Sequence, residues 1–373
     1  MAFSLQKDIT ILCKVVDNYG DIGFVYRLAR ALTSLDSSVS IRIVTDNLFS
    51  FSLLAPGLDP AKNVQQYGTW TVYDWNDSDA CTAAFTADQP HIILQCFQCG
   101  YPSWLETLLF TVKCRDTVHV INIDYLTAEP YADDFHCLAS LTRSSSVKKV
   151  NFMPGFTAKT GGLILDGPFA GTAPAPVPAA VQRLLDASSS DMRVLMFSYE
   201  RDFSSIIYTL AQFPVHVYAA SGRGRESFLT AWKKAKKPFP VTELPFLSQP
   251  EWDSFMCAMS FLFVRGEDSL SRACLSGIPF VWHAYPQKDE YQKVKVQALL
   301  DRMKPFFSEN DFAVIRTYWL SYNTTGAAGD AASLVELLSR VPQLRAGFTS
   351  FADAVRSCGD FARHLLLYIS QLS

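Results

Sequence analysis

The 373-residue sequence contains no apolar run approaching the ~18 residues that a membrane span requires. Its opening, MAFSLQKDIT, lacks the charged and apolar regions of a secretory signal, so the expectation is a cytoplasmic protein. No large basic block is present. The one Lys-rich run, KKAKK at 233–237, reads as a solvated helix face, and with a net charge of −3 it argues against nucleic acid as a partner. The nine cysteines are odd in number and scattered, which predicts reduced, mostly buried thiols. Cys96 and Cys99 form a C-x-x-C pair, but no second pair completes a zinc site. Gly100 and Pro102 follow directly, which denies the pair the helix that a redox motif opens. Internal repeats are absent too.

What is there is a well-packed α/β pattern. Hydrophobic residues make up 49% of the chain and charged residues 18%, and the length favours two domains. In the first half ITILCKV, SIRIVTD, HIILQCF and VHVINIDYL read as strands alternating with helices. In the second half RVLMFSY, VHVYAA, VTELPFL, MSFLFVRG and PFVWHAY repeat the alternation, predicting parallel sheets. Between them, DGPFAGTAPAPVPAA is too rich in Pro, Gly and Ala for regular structure and reads as a linker. The expected organisation is a Rossmann-like domain over 1–170, a linker over 171–182, a second Rossmann-like domain over 183–345, and a C-terminal helix over 346–373 that packs back on the first domain. The last stretch, from about 330, carries helical spacing in ASLVELLSRV and FARHLLLYISQL.

Chemistry concentrates in two turns. KVVDNYGDIG at 14–23 follows a strand and precedes a helix, placing Asp17 and Asp21 at a strand edge. Gly20 and Gly23 are expected in the tight turn, and Asp21 alone would read as a helix cap. Asp17 has no capping duty, which favours a function for the pair. Acidic side chains would repel phosphate, so the turn suits a cationic or protic acceptor that a carboxylate can deprotonate. The second turn is RGEDS at 265–269. Gly266 ends a strand, Ser269 is expected to cap the next helix, and Arg265 adds a charge-assisted donor, together making a diphosphate site. Glu267 and Asp268 also suit a helix start electrostatically. Phe197 and Tyr199 in FSYERD, with Phe246 and Gln249 in LPFLSQPEWD ahead of a helix, offer rings and an amide for a base, against core packing as the alternative.

The segments DNYGDIG, FMPGF–T–TGGL, LPFLSQ, VRGEDS and PFVWHAYPQ, in this order, resemble the bacterial protein-arginine rhamnosyltransferases that modify translation elongation factor P. The likeness runs from about residue 9 to about 300. It departs at FMPGF, where an aromatic often follows the first Phe, and around Tyr199 in SYERD. The resemblance implies a GT-B fold, two Rossmann-like domains facing each other across a cleft. It implies inverting transfer of rhamnose from dTDP-β-L-rhamnose to one arginine, with no metal or other cofactor. It further implies Asp17, Asp21 and Glu267 as catalytic residues, Asp21 being the base. Phe197, Tyr199, Phe246, Gln249, Arg265, Glu267, Asp268 and Ser269 would bind the donor.

Two alternatives stand beside this reading. One is a GT-B enzyme with another nucleotide sugar or acceptor, such as an epimerase or a lipid-linked glycan transferase. A lipid acceptor calls for a membrane-facing basic or apolar helix, which the first half lacks. The other is a non-catalytic module binding elongation factor P or nucleotide, which loss of Asp21 or Glu267 would favour, and both are present. The acidic, aromatic stretch 122–134 reads either as a surface for a basic partner or as a solvated loop.

Overall fold

The computed structural model describes residues 8–16, 20–112, 114–171, 176–186, 190, 192–222, 224–324 and 331–372. The chain divides into two units. The first comprises Met1–Leu126, Pro130–Leu165 and Cys358–Ser373, and the second Thr127–Glu129 and Asp166–Ser357.

In the first unit the apolar runs form β1 (Asp8–Cys13), β2 (Ser40–Thr45), β5 (Ile92–Cys96) and β6 (Val118–Ile123), each nearly continuously buried. Helices cover both faces of a parallel sheet, so such strands read as unbroken apolar segments. Four further strands, β3 (Val64–Tyr67), β4 (Trp70–Asp74), β7 (Ala139–Ser140) and β8 (Val147–Phe152), complete the order β3-β4-β2-β1-β5-β6-β8-β7. The sheet is not purely parallel as the alternation predicted. Antiparallel pairs, β3 with β4 and β7 with β8, close its two edges.

The second unit holds β9 (Met192–Met196), β10 (Val215–Ala219), β11 (Val241–Glu243), β12 (Phe261–Arg265) and β13 (Phe280–His283). All its pairings are parallel, in the order β11-β10-β9-β12-β13. Both sheets share one topological feature. From β1 the chain builds outward on one side, then returns to place β5 on the other. From β9 it does the same and returns at β12. At such a reversal the connections leave to opposite faces and open a crevice at the carboxyl ends of the strands.

The C-terminal stretch forms the helices Ala331–Ser339, Val341–Ser357 and Phe361–Ile369, so the single helix expected over 346–373 is broken before Phe361 and its first half belongs to the second unit. The last belongs to the first unit, where Asp360 caps it by accepting from the Arg363 amide. Phe361 is fully buried, its ring edge-on to Phe152 with centroids 5.3 Å apart, while Leu365 and Ile369 enter the same core. No described helix is long and apolar enough to cross a membrane. Phe361→Ala should cost about 3–5 kcal/mol of stability, the usual range for truncating a buried Phe. Urea unfolding would read this as a lower midpoint, and an unchanged midpoint would show the terminal helix to be dispensable.

Candidate functional site

Both sequence-selected turns fall at the strand-order reversals. The helix Gly20–Leu35 follows β1, and Asp21 lies in its first turn, only 3% exposed. Its Oδ2 accepts from the Val16 amide at 2.7 Å, so the carboxylate reaches back to the exit of β1. Gly20 and Gly23 lie within this helix and not in the turn before it, correcting the expectation above. Asp17 lies outside the described residues. The sequence reading passed over a second carboxylate here. Asp46, at the end of neighbouring β2, accepts from the Val15 amide at 2.8 Å, so two acids pin consecutive amides of the β1 exit. Its only sequence signal was an Asp closing an apolar run.

On the other side of the β1 reversal, the turn after β5 holds two consecutive non-glycine residues in left-handed conformation, Phe97 (φ 58°) and Gln98 (φ 50°). Phe97 stacks on Tyr125, centroids 4.5 Å apart, and meets Phe24 of the Asp21 helix edge-on at 5.4 Å. Gln98 Nε2 donates to Asp124 Oδ2 at 2.7 Å. The carboxyl edge of this sheet thus carries, in strand order, the acids Asp46 and Asp21, an aromatic wall at Phe97 and a third acid, Asp124. The stretch 122–134 is not the solvated loop offered as an alternative, since Leu126 to Glu129 are buried. The two oxygens of Glu129 accept from Tyr291 Oη at 2.7 Å and Thr127 Oγ1 at 3.0 Å.

In the second unit Arg265 closes β12 and is 92% buried against rings. Its guanidinium lies 4.6 Å from the Phe197 centroid and 4.8 Å from that of Tyr199. Phe197 is tied to the same reversal by its amide, which donates to Phe263 O at 2.9 Å. A third strand end contributes by leaving room. A Cβ at Gly222 (φ 141°) would lie 3.0 Å from Arg265 Nη2. Gly266, at φ 70° and ψ 173°, occupies a region essentially restricted to glycine.

That backbone turn is itself the N-cap of the helix Glu267–Ser276, so Ser269 sits in the first turn and does not cap it as expected. With Gly266 as the cap, the amides of Glu267, Asp268 and Ser269 lie at the positive end of the helix, beside Arg265. Gln249 is the first residue of the helix Gln249–Cys257 and not ahead of it, while Ser248 and Glu251 form the capping box. Gln249 is buried and Phe246 is 54% exposed. The sites of Phe197, Tyr199, Arg265, Glu267, Asp268 and Ser269 are therefore brought together by β9 and β12, with Gln249 and Phe246 following β11.

Behind Tyr199 lies His283, the last residue of β13, which the sequence reading did not single out. Burial first, then the nearby Arg201 and Arg265 guanidiniums, push it down to about 3. It is therefore neutral near pH 7. Cys96 and Cys99 have thiols raised by burial, and all nine cysteines are free. Among the described residues no group of three or more His, Cys, Asp or Glu is arranged to hold a metal.

The depressed His283 fixes a sign for pH dependence. Unfolded, it titrates near its ordinary 6.5 and takes up a proton that the folded state refuses, so its contribution falls as pH drops from about 6.5 toward 3. Between pH 7 and pH 5 one such group costs about 2 kcal/mol. His136 and His216 shift the same way, but their effects cancel in a difference between variants. His283→Asn should lose about 2 kcal/mol less than wild type over this interval, since Asn does not titrate. Parallel losses in urea unfolding would show His283 to be protonated in the fold.

A family model described as the elongation factor P (EF-P) rhamnosyltransferase EarP matches residues 9–370. The chain is 28% identical to the protein-arginine rhamnosyltransferase of Pseudomonas aeruginosa over 378 residues, covering 96% of this chain and 97% of that one. It is 29% identical to that of Shewanella oneidensis over 361 residues, covering 84% and 89%. Among solved structures, one on EarP-mediated arginine glycosylation of translation elongation factor EF-P superposes with a TM-score of 0.63 at 21% identity, covering 98% of this chain and 99% of that one. UDP-glucose:anthocyanidin 3-O-glucosyltransferase follows at 0.54 and 11%, covering 99% of each. The fold is that of the GT-B glycosyltransferases, with two Rossmann-like units.

Proposed function

The chain belongs to the EarP family of elongation factor P rhamnosyltransferases, and from that premise we propose that it transfers rhamnose from dTDP-β-L-rhamnose to one arginine of elongation factor P, with inversion. One observation carries this reading: an acidic turn stands at the strand-order reversal of one unit, and Arg265 with a helix N-terminus stands at that of the other. The acidic turn suits a guanidinium, and Arg265 beside the helix N-terminus suits a nucleoside diphosphate.

A guanidinium is a poor nucleophile because its charge and lone pairs are delocalised. In the proposed step one of its nitrogens attacks the anomeric carbon while the bond to the diphosphate oxygen breaks. Asp21 takes the proton released from that nitrogen. Asp17 and Glu267 join it as catalytic residues, with Asp17 holding the guanidinium. Arg265 and the start of the helix Glu267–Ser276 meet the charge gathering on the departing diphosphate, the place a metal takes in other enzymes. Phe197, Tyr199, Phe246 and Gln249 bind the nucleoside and sugar, and Asp268 and Ser269 complete the donor site. The proposed reaction needs no metal or other cofactor, and the proposed compartment is the cytoplasm.

Intact-mass analysis of elongation factor P after incubation with the protein and dTDP-rhamnose should show the gain of one deoxyhexose, undiminished by EDTA. Absence of that gain would overturn the reading. Asp21→Asn keeps the shape but cannot take a proton. Turnover should fall by about 10²–10⁴ with donor affinity near wild type. Near-normal turnover would return the residue to a structural role. Arg265→Ala should weaken dTDP binding by about 1.5–3 kcal/mol, the range for a hydrogen bond to a charged group. Calorimetry giving an unchanged affinity would make this arginine structural.

A further inference from the structure

The turn that follows β9 is fixed by a buried chain of hydrogen bonds whose direction can be deduced. His283 Nδ1 lies 2.8 Å from Ser198 Oγ and 3.3 Å from the Tyr199 amide nitrogen. Ser198 Oγ lies 2.8 Å from Tyr322 Oη. A backbone amide can only donate, so Nδ1 must present its lone pair and the ring proton must sit on Nε2. Ser198 then has one course, to give its single proton to Nδ1. Tyr322 in turn donates to Ser198. The Tyr199 amide and the Ser198 hydroxyl keep their acceptor only while His283 is neutral, which agrees with its burial near two arginines.

The rings repeat the connection. His283 meets Tyr199 edge-on at 5.2 Å and Tyr322 at 5.0 Å, and Tyr199 carries the Arg265 guanidinium on its face. The strand bearing His283 is itself held. Asn323 Nδ2 donates to Trp282 O at 2.8 Å, and its Oδ1 accepts from the Ala284 amide at 2.9 Å, clasping His283 between the two. Arg201 secures the far end, donating to Tyr322 O at 2.6 Å with its guanidinium 4.0 Å from the ring centroid.

We propose that His283 is a positioning residue for the donor: its Nδ1 lone pair fixes the Ser198–Tyr199 turn, and through Tyr199 it holds Arg265 where a nucleoside diphosphate is bound. This rests on the donor assignment made above. His283 itself touches neither the nucleotide nor the reacting atoms. A merely space-filling histidine would need only its ring, whereas the proposed role needs only the acceptor.

Two substitutions separate these requirements. His283→Asn puts an amide oxygen near the position of Nδ1 without the ring, and His283→Phe keeps the ring without an acceptor. With the full-length protein, the dTDP dissociation constant from calorimetry should rise about tenfold in His283→Phe and stay within about twofold of wild type in His283→Asn, the loss expected for one well-made hydrogen bond. The KM for elongation factor P should not change in either variant. Equal weakening in both, no weakening in His283→Phe, or a matching rise in the acceptor KM would overturn the proposal. If His283→Phe fails to fold, Tyr322→Phe removes only the far hydroxyl and should weaken dTDP binding about threefold, by slackening the chain at its remote end. An unchanged constant there would overturn the proposal too. A wild-type protein that binds dTDP but adds no rhamnose would sink the reaction and leave the positioning role standing. One that binds no dTDP would sink both.

Discussion

Everything chemical in this molecule depends on where the strand order turns back on itself. A parallel strand buried on both faces has no spare surface along its length, so polar function is confined to its ends. At β1 and at β9 the connections diverge to opposite faces, and the ends of adjacent strands are left uncovered. These are the positions where the chain departs from apolar sequence. Val15 and Val16 hand their amides to Asp46 and Asp21, and Arg265 is followed at once by Gly266 and a helix. The sheets supply rigid ends, and the turns supply charge.

The two reversals solve opposite electrostatic problems. Asp21 is a buried carboxylate, a group that is costly to remove from water unless it is hydrogen-bonded. Its place in the first turn of the helix Gly20–Leu35 and its bond from the Val16 amide offset that cost. Arg265 meets the reverse need with ring faces. Guanidinium is weakly hydrated and stacks on aromatic rings, so Phe197 and Tyr199 hold it at about 0.5–2 kcal/mol apiece without neutralising its charge. Ring faces thus bury the guanidinium while it keeps its positive charge.

How much of this was legible in the sequence varied with the range of the interaction. The central strands stood out because burial on both faces leaves an unbroken apolar run, as in β1 and β5. The edge strands β3 and β7 did not, since VQQY and AS carry too little apolar pattern for a period to register. The helix after β12 was legible, but its cap was not. Ser269 is a familiar capping type, while the actual cap is a glycine whose backbone angles alone start the helix three residues earlier. Asp21 and Arg265 stood out as charges beside glycines, and their local context is what the fold uses. His283 could not have been found that way. Its partners Ser198 and Tyr322 lie 85 and 39 residues away, and only the sheet brings them together.

Charged groups that meet a ligand sit on turns, which are the least rigid parts of a fold. A turn becomes precise only when a second layer removes its freedom, through partners that are themselves fixed. The Ser198–Tyr199 turn has such a layer in His283, which Asn323 clasps from the flanking residues, and Asn323 ends the helix Glu309–Tyr322 that packs along β13. The turn after β5 has a different layer, in which Phe97 and Gln98 hold left-handed angles costing of order 1–3 kcal/mol each. Stacking on Tyr125 and the bond to Asp124 compensate that strain. One turn is thus held by a buried polar chain and the other by contacts that compensate its strain. Long-range packing, and not the turns' own sequence, sets the geometry at both.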